Sequence, residues 1–251
     1  MSQPALAAVV IPAYNEAATI RDVVLRALQQ LPLVIVVDDG STDGTSRQLD
    51  GLGAVVLRHD ANLGKAASLR RGASVAIERG AGAIVTLDGD GQHCPEDIPM
   101  LLQAWHGEPG RLVIGSRLHA RDKIPPVRYW ANRVGNSCIG LVAGGPIADS
   151  QSGFRVYPAR IFGEARLRYD RAHSFVFESE VLIEAARLGI RVVCVPVQVI
   201  YSDRARASHF RPVADFVRIA RMLIWRLLRQ GLAQRAAGLR RAYAAADPVP
   251  L

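Results

Sequence analysis

Apolar and polar positions in the first half of the chain switch between two periods. Short β-branched runs at Ala7–Pro12, Leu33–Val37, Ala54–Arg58 and Ala83–Leu87 have the composition of buried strands. Between them, Glu16–Leu31, Thr42–Leu52 and Lys65–Arg79 space their apolar residues as helices do. This alternation predicts right-handed βαβ crossovers and a mostly parallel sheet with helices on both faces. Leu112–Arg117 adds a strand ending in a polar turn. Arg191–Val199 is a β-branched run interrupted by Pro196, which places it at a sheet edge.

Ligands of such sheets bind beyond the carboxyl ends of the strands, and the polar motifs fall there. Asp88-Gly89-Asp90-Gly91-Gln92-His93 follows the fourth strand directly. Two hard oxygen ligands on a glycine-loosened turn suit Mg²⁺ or Mn²⁺, leaving positions for waters and phosphate oxygens. Pro12-Ala-Tyr14-Asn15-Glu16 follows the first strand, where Asn15 is placed to cap a helix and Glu16 to favour its positive end. Val37-Asp38-Asp39-Gly-Ser-Thr-Asp43 follows the second; its carboxylates suit a base N–H and a ribose hydroxyl, or a helix cap at Ser41 or Asp43. Asn62-Leu-Gly64-Lys65 heads a helix, where Lys65 can meet a phosphate or stand solvated. No G-x-G-x-x-G follows the first strand and no P-loop occurs, which removes dinucleotide oxidoreduction and P-loop phosphoryl transfer.

Composition narrows the setting. The net charge of +8 is almost all arginine, since Lys65 and Lys123 are the lysines. Ten arginines against two acids lie between Asp203 and Arg241. Such a basic segment suggests anionic partners, an acidic membrane ahead of nucleic acid, for which no motif is present. Pro212–Arg229 has the pattern of a basic amphipathic helix, suited to an anionic interface or to docking on the protein itself. The N-terminus lacks a secretory pattern, no stretch reaches the length of a membrane span, and Cys94, Cys138 and Cys194 fit no zinc or redox spacing. A cytoplasmic protein, peripheral on the inner membrane face, is the expectation. The expected domains are 1–211, an interfacial helix at 212–230 and a mobile tail at 231–251.

Together these motifs, with Gly115-Ser-Arg117 and Ser152-Gly-Phe-Arg155, resemble the family 2 glycosyltransferases. More narrowly they resemble the dolichol- or polyprenyl-phosphate mannosyltransferase and glucosyltransferase branch. The resemblance spans roughly residues 7 to 211. It implies a single Rossmann-like α/β domain of GT-A type and an inverting, metal-dependent transfer of a mannose- or glucose-type sugar. The donor is a GDP- or UDP-sugar and the acceptor a polyprenyl phosphate. It further implies that Pro12, Tyr14, Glu16, Val37 and Asp39 hold the nucleoside, with Asp39 facing the base. Asp88, Gly89, Asp90 and Gln92 hold the metal and diphosphate, and Arg117 lies near the diphosphate or the acceptor phosphate. Arg204 matches a phosphate-binding arginine, and Arg155, Ser208 and His209 fall at the acceptor. His209 stands where the family carries lysine, and a histidine is a weaker, pH-dependent phosphate ligand. Asp149 is the candidate for a general base or for positioning the acceptor, whether that acceptor is a phosphate or a hydroxyl. The same motifs also allow a catalytically silent nucleotide-sugar-binding scaffold. The apolar, Gly-rich segment 130–147 and the oligomeric state stay unassigned.

Overall fold

The computed structural model of the chain describes residues 6–108, 110–117, 133, 135–137, 139–141, 145–169, 176–198 and 200. Its centre is a seven-stranded sheet in the order β3-β2-β1-β4-β6-β5-β7. β1 (Ala7–Ala13), β2 (Val34–Asp38), β3 (Val55–Arg58) and β4 (Ala83–Thr86) are parallel neighbours, as the pattern predicts. β5 (Leu112–Ser116) and β7 (Val192–Pro196) pair in parallel, and β7 is an edge strand with Pro196 as its last residue. Between these groups runs β6 (Arg155–Pro158), antiparallel to both β4 and β5. In sequence this segment shows only the polar motif Ser152–Arg155.

Side-chain alternation sends successive strand residues into two cores. Val9, Ile11, Val34, Val36 and Val85 pack with α1 (Ile20–Gln30) and α3 (Ile98–Gly107). Ala8, Val10, Ile35, Val37 and Ile84 pack with α2 (Lys65–Glu78) and α5 (Phe177–Arg187), the latter following a short α4 (Ile161–Glu164). On the second face α2 lies very close to the sheet. A Cβ on Gly72 would stand 2.4 Å from Val10 Cγ1 and 3.1 Å from Val37 Cγ2, so the helix approaches where it has no side chain.

One expected helix is absent. Thr42–Leu52 forms only a 3₁₀ turn at Thr45–Leu49, entered through Gly44 at φ 88°. Asp43 accepts from the Thr45 amide at 2.9 Å and the Thr45 hydroxyl at 2.5 Å, so short polar side chains compete with helical bonding. The expected helix Glu16–Leu31 begins at Ile20 instead.

Candidate functional site

The parallel strands bring the ends of β1, β2 and β4 to one edge, where Pro12 and Val37 stand side by side in register. The loops after β1 and β2 are laced together. The amides of Asn15, Glu16 and Ala17 donate to Ser41 Oγ at 2.9 Å, Thr45 Oγ1 at 2.8 Å and Asp43 Oδ2 at 3.0 Å. These N–H groups lie just before α1 and are satisfied from the neighbouring loop. Asn15, at φ 58°, makes no cap for that helix; its Oδ1 accepts from the Thr42 amide at 2.8 Å. Tyr14 and Glu16 remain half-buried at this edge, whereas the Val37 side chain belongs to the core beneath α2.

Asp39 is buried and organises a third loop. Its Oδ1 accepts from the Leu63 amide at 2.9 Å and meets His59 Nδ1 at 2.8 Å; its Oδ2 accepts from the Gly64 amide at 2.8 Å. The carboxylate therefore fixes the backbone immediately ahead of Lys65. His59 was not recognisable from sequence, because nothing local links it to a residue twenty positions earlier.

Lys65 does not stand in solvent. Its Nζ lies 2.6 Å from Asp88 Oδ1 and 2.9 Å from Glu178 Oε1, on the first turn of α5. Burial acts against the Lys65 charge, but Asp88 and Glu178 outweigh it and hold the amine well above the usual lysine range. Burial likewise acts to raise the Asp88 carboxyl, yet the Lys65 ammonium, then His93, drive it far below the carboxylate range. Asp90 moves the other way: burial raises it, and the negative charge of Asp88 adds to that. Gln92 donates its amide to Asp90 Oδ1 at 3.0 Å, shaping the turn. Glu178 was missed because Phe177-Glu-Ser-Glu180 looks in sequence like an ordinary acidic first helical turn.

The Ser152–Arg155 motif closes the site from the other side. A Cβ on Gly153 would lie 2.6 Å from Asp88 Oδ2 and 2.7 Å from Lys65 Nζ, so a side chain at this position would have to displace the ion pair. Arg155, expected at the acceptor, is instead fully buried. Its register between Thr86 and Ile114 puts it at the sheet centre, where the antiparallel strand enters. It donates to the carbonyls of Ser152 at 2.7 Å, Ser150 at 2.7 Å and Glu178 at 2.9 Å. It is a strut that ties Gly153 and Glu178 into place.

Arg117 follows β5 and meets Asp149 through Nε at 3.0 Å, Nη2 at 3.3 Å and its own amide at 3.2 Å. Burial acts to raise Asp149, but the Arg117 charge and hydrogen bonds prevail and keep its carboxyl below the usual range. Arg204, Ser208, His209 and the segments 212–230 and 231–251 lie outside the described residues. Among the described residues no three His, Cys, Asp or Glu side chains gather as a metal cage, and no helix is long and apolar enough to cross a membrane. Two carboxylates one residue apart, Asp90 raised by burial and then by Asp88, fit a divalent ion that takes its remaining ligands from substrate and water.

Comparison with known proteins gives these features a context. A UDP-N-acetylglucosamine–dolichyl-phosphate N-acetylglucosaminyltransferase of Methanococcus voltae is 29% identical over 242 residues, covering 87% of this chain and 95% of its own. An undecaprenyl-phosphate mannosyltransferase of Micrococcus luteus is 29% identical over 241 residues, covering 92% and 96%. The structure of glucosyl-3-phosphoglycerate synthase from Mycobacterium tuberculosis, with Mn²⁺, UDP and phosphoglyceric acid, matches with a TM-score of 0.64 at 23% identity. That match covers 89% of this chain and 78% of the other, and it establishes the GT-A fold. The family model for Glycosyl transferase family 2 matches residues 8–165, and the chain belongs to that family of glycosyltransferases.

Proposed function

We propose that the chain transfers a mannose- or glucose-type sugar from a GDP- or UDP-sugar to a polyprenyl or dolichyl phosphate, at the cytoplasmic face of a membrane. The observation that carries the choice of acceptor is the Arg117–Asp149 clamp. A hydroxyl acceptor needs a general base near neutrality. Asp149, the candidate for that role, is buried, held by three donor contacts from Arg117 and lowered in basicity. A phosphate monoester is already ionised and needs no such base. Relatives named for dolichyl- and undecaprenyl-phosphate transfer support the same acceptor class.

In this reading the acceptor phosphate oxygen attacks the anomeric carbon from the face opposite the diphosphate. The carbon–oxygen bond to the diphosphate breaks and the configuration inverts. Asp88, Asp90 and Gln92 would hold Mg²⁺ or Mn²⁺, which supplies charge neutralisation of the departing diphosphate. Pro12, Tyr14, Glu16 and Asp39 line the nucleoside side, with Val37 contributing through its backbone. Arg117, oriented by Asp149, presents positive charge beside the same edge. Arg204, Ser208 and His209 are assigned to phosphate contacts, and the basic segment 212–230 to the membrane surface.

The test is transfer from UDP- and GDP-sugars, with Mn²⁺, to polyprenyl phosphate and in parallel to the free polyprenol, read by mass spectrometry. A glycosyl phospholipid product from one donor, absent with polyprenol and lost in Asp90→Ala, is the expected result. Equal transfer to polyprenol would overturn the phosphate assignment. Donor-induced thermal stabilisation without transfer to either acceptor would instead identify a binding scaffold.

A further inference from the structure

We propose that Lys65 is the resident counter-cation of the donor site, and that Glu178 keeps its ammonium when Asp88 turns to a divalent ion. The proposal rests on the metal reading of Asp88 and Asp90 given above. Three observations carry it. First, Lys65 Nζ is shared: 2.6 Å from Asp88 Oδ1 and 2.9 Å from Glu178 Oε1. An ammonium leaving Asp88 thus already has a second carboxylate in contact.

Second, the backbone on either side of the pair is anchored, which leaves the side chains as the parts that move. Gly153 lies over the pair without a side chain, where an added Cβ would sit 2.7 Å from Nζ. Arg155 Nη1 binds the Glu178 carbonyl at 2.9 Å and fixes the start of α5. Asp39 binds the Leu63 and Gly64 amides and fixes the start of α2. Between these anchors a lysine is a point charge on a flexible four-carbon chain, able to pivot without backbone change.

Third, the carboxylate that Lys65 occupies is one of the pair suited to the metal. With an ammonium 2.6 Å from Oδ1, Asp88 offers a divalent ion a carboxylate whose charge is already partly neutralised, so the two cations compete for that charge, and Glu178 sets how readily Lys65 yields. Glu178 is therefore a positioning residue for Lys65, and Lys65 suppresses metal binding until donor phosphates arrive to help hold the ion.

The experiment titrates the nucleotide-free protein with Mn²⁺ alone and reads free Mn²⁺ by electron paramagnetic resonance, with melting curves to establish folding. The decisive variant is the double substitution Lys65→Met/Glu178→Gln. It leaves the net charge unchanged and leaves no carboxylate stranded at position 178. Competition predicts that it binds Mn²⁺ about tenfold tighter than wild type, because Asp88 is released from its counter-cation. Lys65→Arg should stay near wild type, and Glu178→Gln alone should bind more weakly, since the ammonium then rests wholly on Asp88. A double variant that binds Mn²⁺ no more tightly than wild type overturns the proposal, because a purely structural ion pair would give that result. Wild-type protein that fails to take up Mn²⁺ even with UDP or GDP added would overturn the metal reading itself. Uptake with nucleotide but no gain in the double variant removes only the role given to Lys65 and Glu178.

Discussion

Arg155 illustrates how far one residue's role depends on its strand. In sequence it ends a polar motif and looks like an anion ligand; in the fold it is fully buried and satisfies three carbonyls. Losing those donors strands buried acceptors at about 1–3 kcal/mol each. Arg155→Met is therefore expected to lower unfolding free energy by about 3 kcal/mol or more in urea titrations, and Arg155→Lys to recover little of it, since one ammonium cannot span the three carbonyls. Asp149 makes a pH prediction. Its carboxyl is lowered in the folded state, so the stability it contributes is complete above the ordinary aspartate range. That contribution is lost as pH falls through and below that range, because the unfolded chain takes up the proton first. Asp149→Asn should flatten the acid limb of melting temperature below about pH 4, while leaving its shape near neutrality unchanged. An identical acid limb in the variant would show that the Arg117 clamp does not contribute to stability.

At the scale of elements, the contact of α2 with the sheet sets the position of Lys65. Gly72 allows the approach, and its neighbours Val10 and Val37 lie in strands that end at the site. Gly72→Ala would gain about 1 kcal/mol of helix propensity. Overpacking against Val10 opposes it by about 1–3 kcal/mol, so a net destabilisation is expected, with Lys65 displaced from Asp88. Gly163→Ala in α4 is the control, because an added Cβ there meets open space. Chemical denaturation of the two variants checks the sign. The elements also show why part of the fold was readable. Parallel β1, β2 and β4 are buried on both faces and announce themselves as β-branched runs. β6 is a four-residue strand, and its antiparallel direction is a property of the closed sheet with no local signature. The 3₁₀ turn at Thr45–Leu49 depends on side chains bonding across to residues 15–17, which helical spacing cannot reveal.

For the whole molecule, charge is distributed very unevenly. Ten arginines lie between Asp203 and Arg241, four of them (Arg218, Arg221, Arg226 and Arg229) within the segment assigned to the membrane. Vesicles containing anionic lipid should therefore co-sediment the protein at low salt, with recovery falling as salt screens the attraction. Equal recovery on neutral vesicles, or at high salt, would remove the electrostatic part of that assignment. The fold and the family follow from local patterns and are consistent with relatives matching almost end to end.

The sequence alone determined the strand–helix alternation, the edge at which ligands bind and the Asp88–Gln92 motif, because each is written in consecutive residues with a local period or turn. Only the tertiary structure decided which charges meet. Lys65 reaches Asp88 and Glu178, Arg117 reaches Asp149, and Arg155 turns inward. Those pairings join residues far apart in the chain, and an ion's partner is set by distance in space, which composition and spacing do not encode.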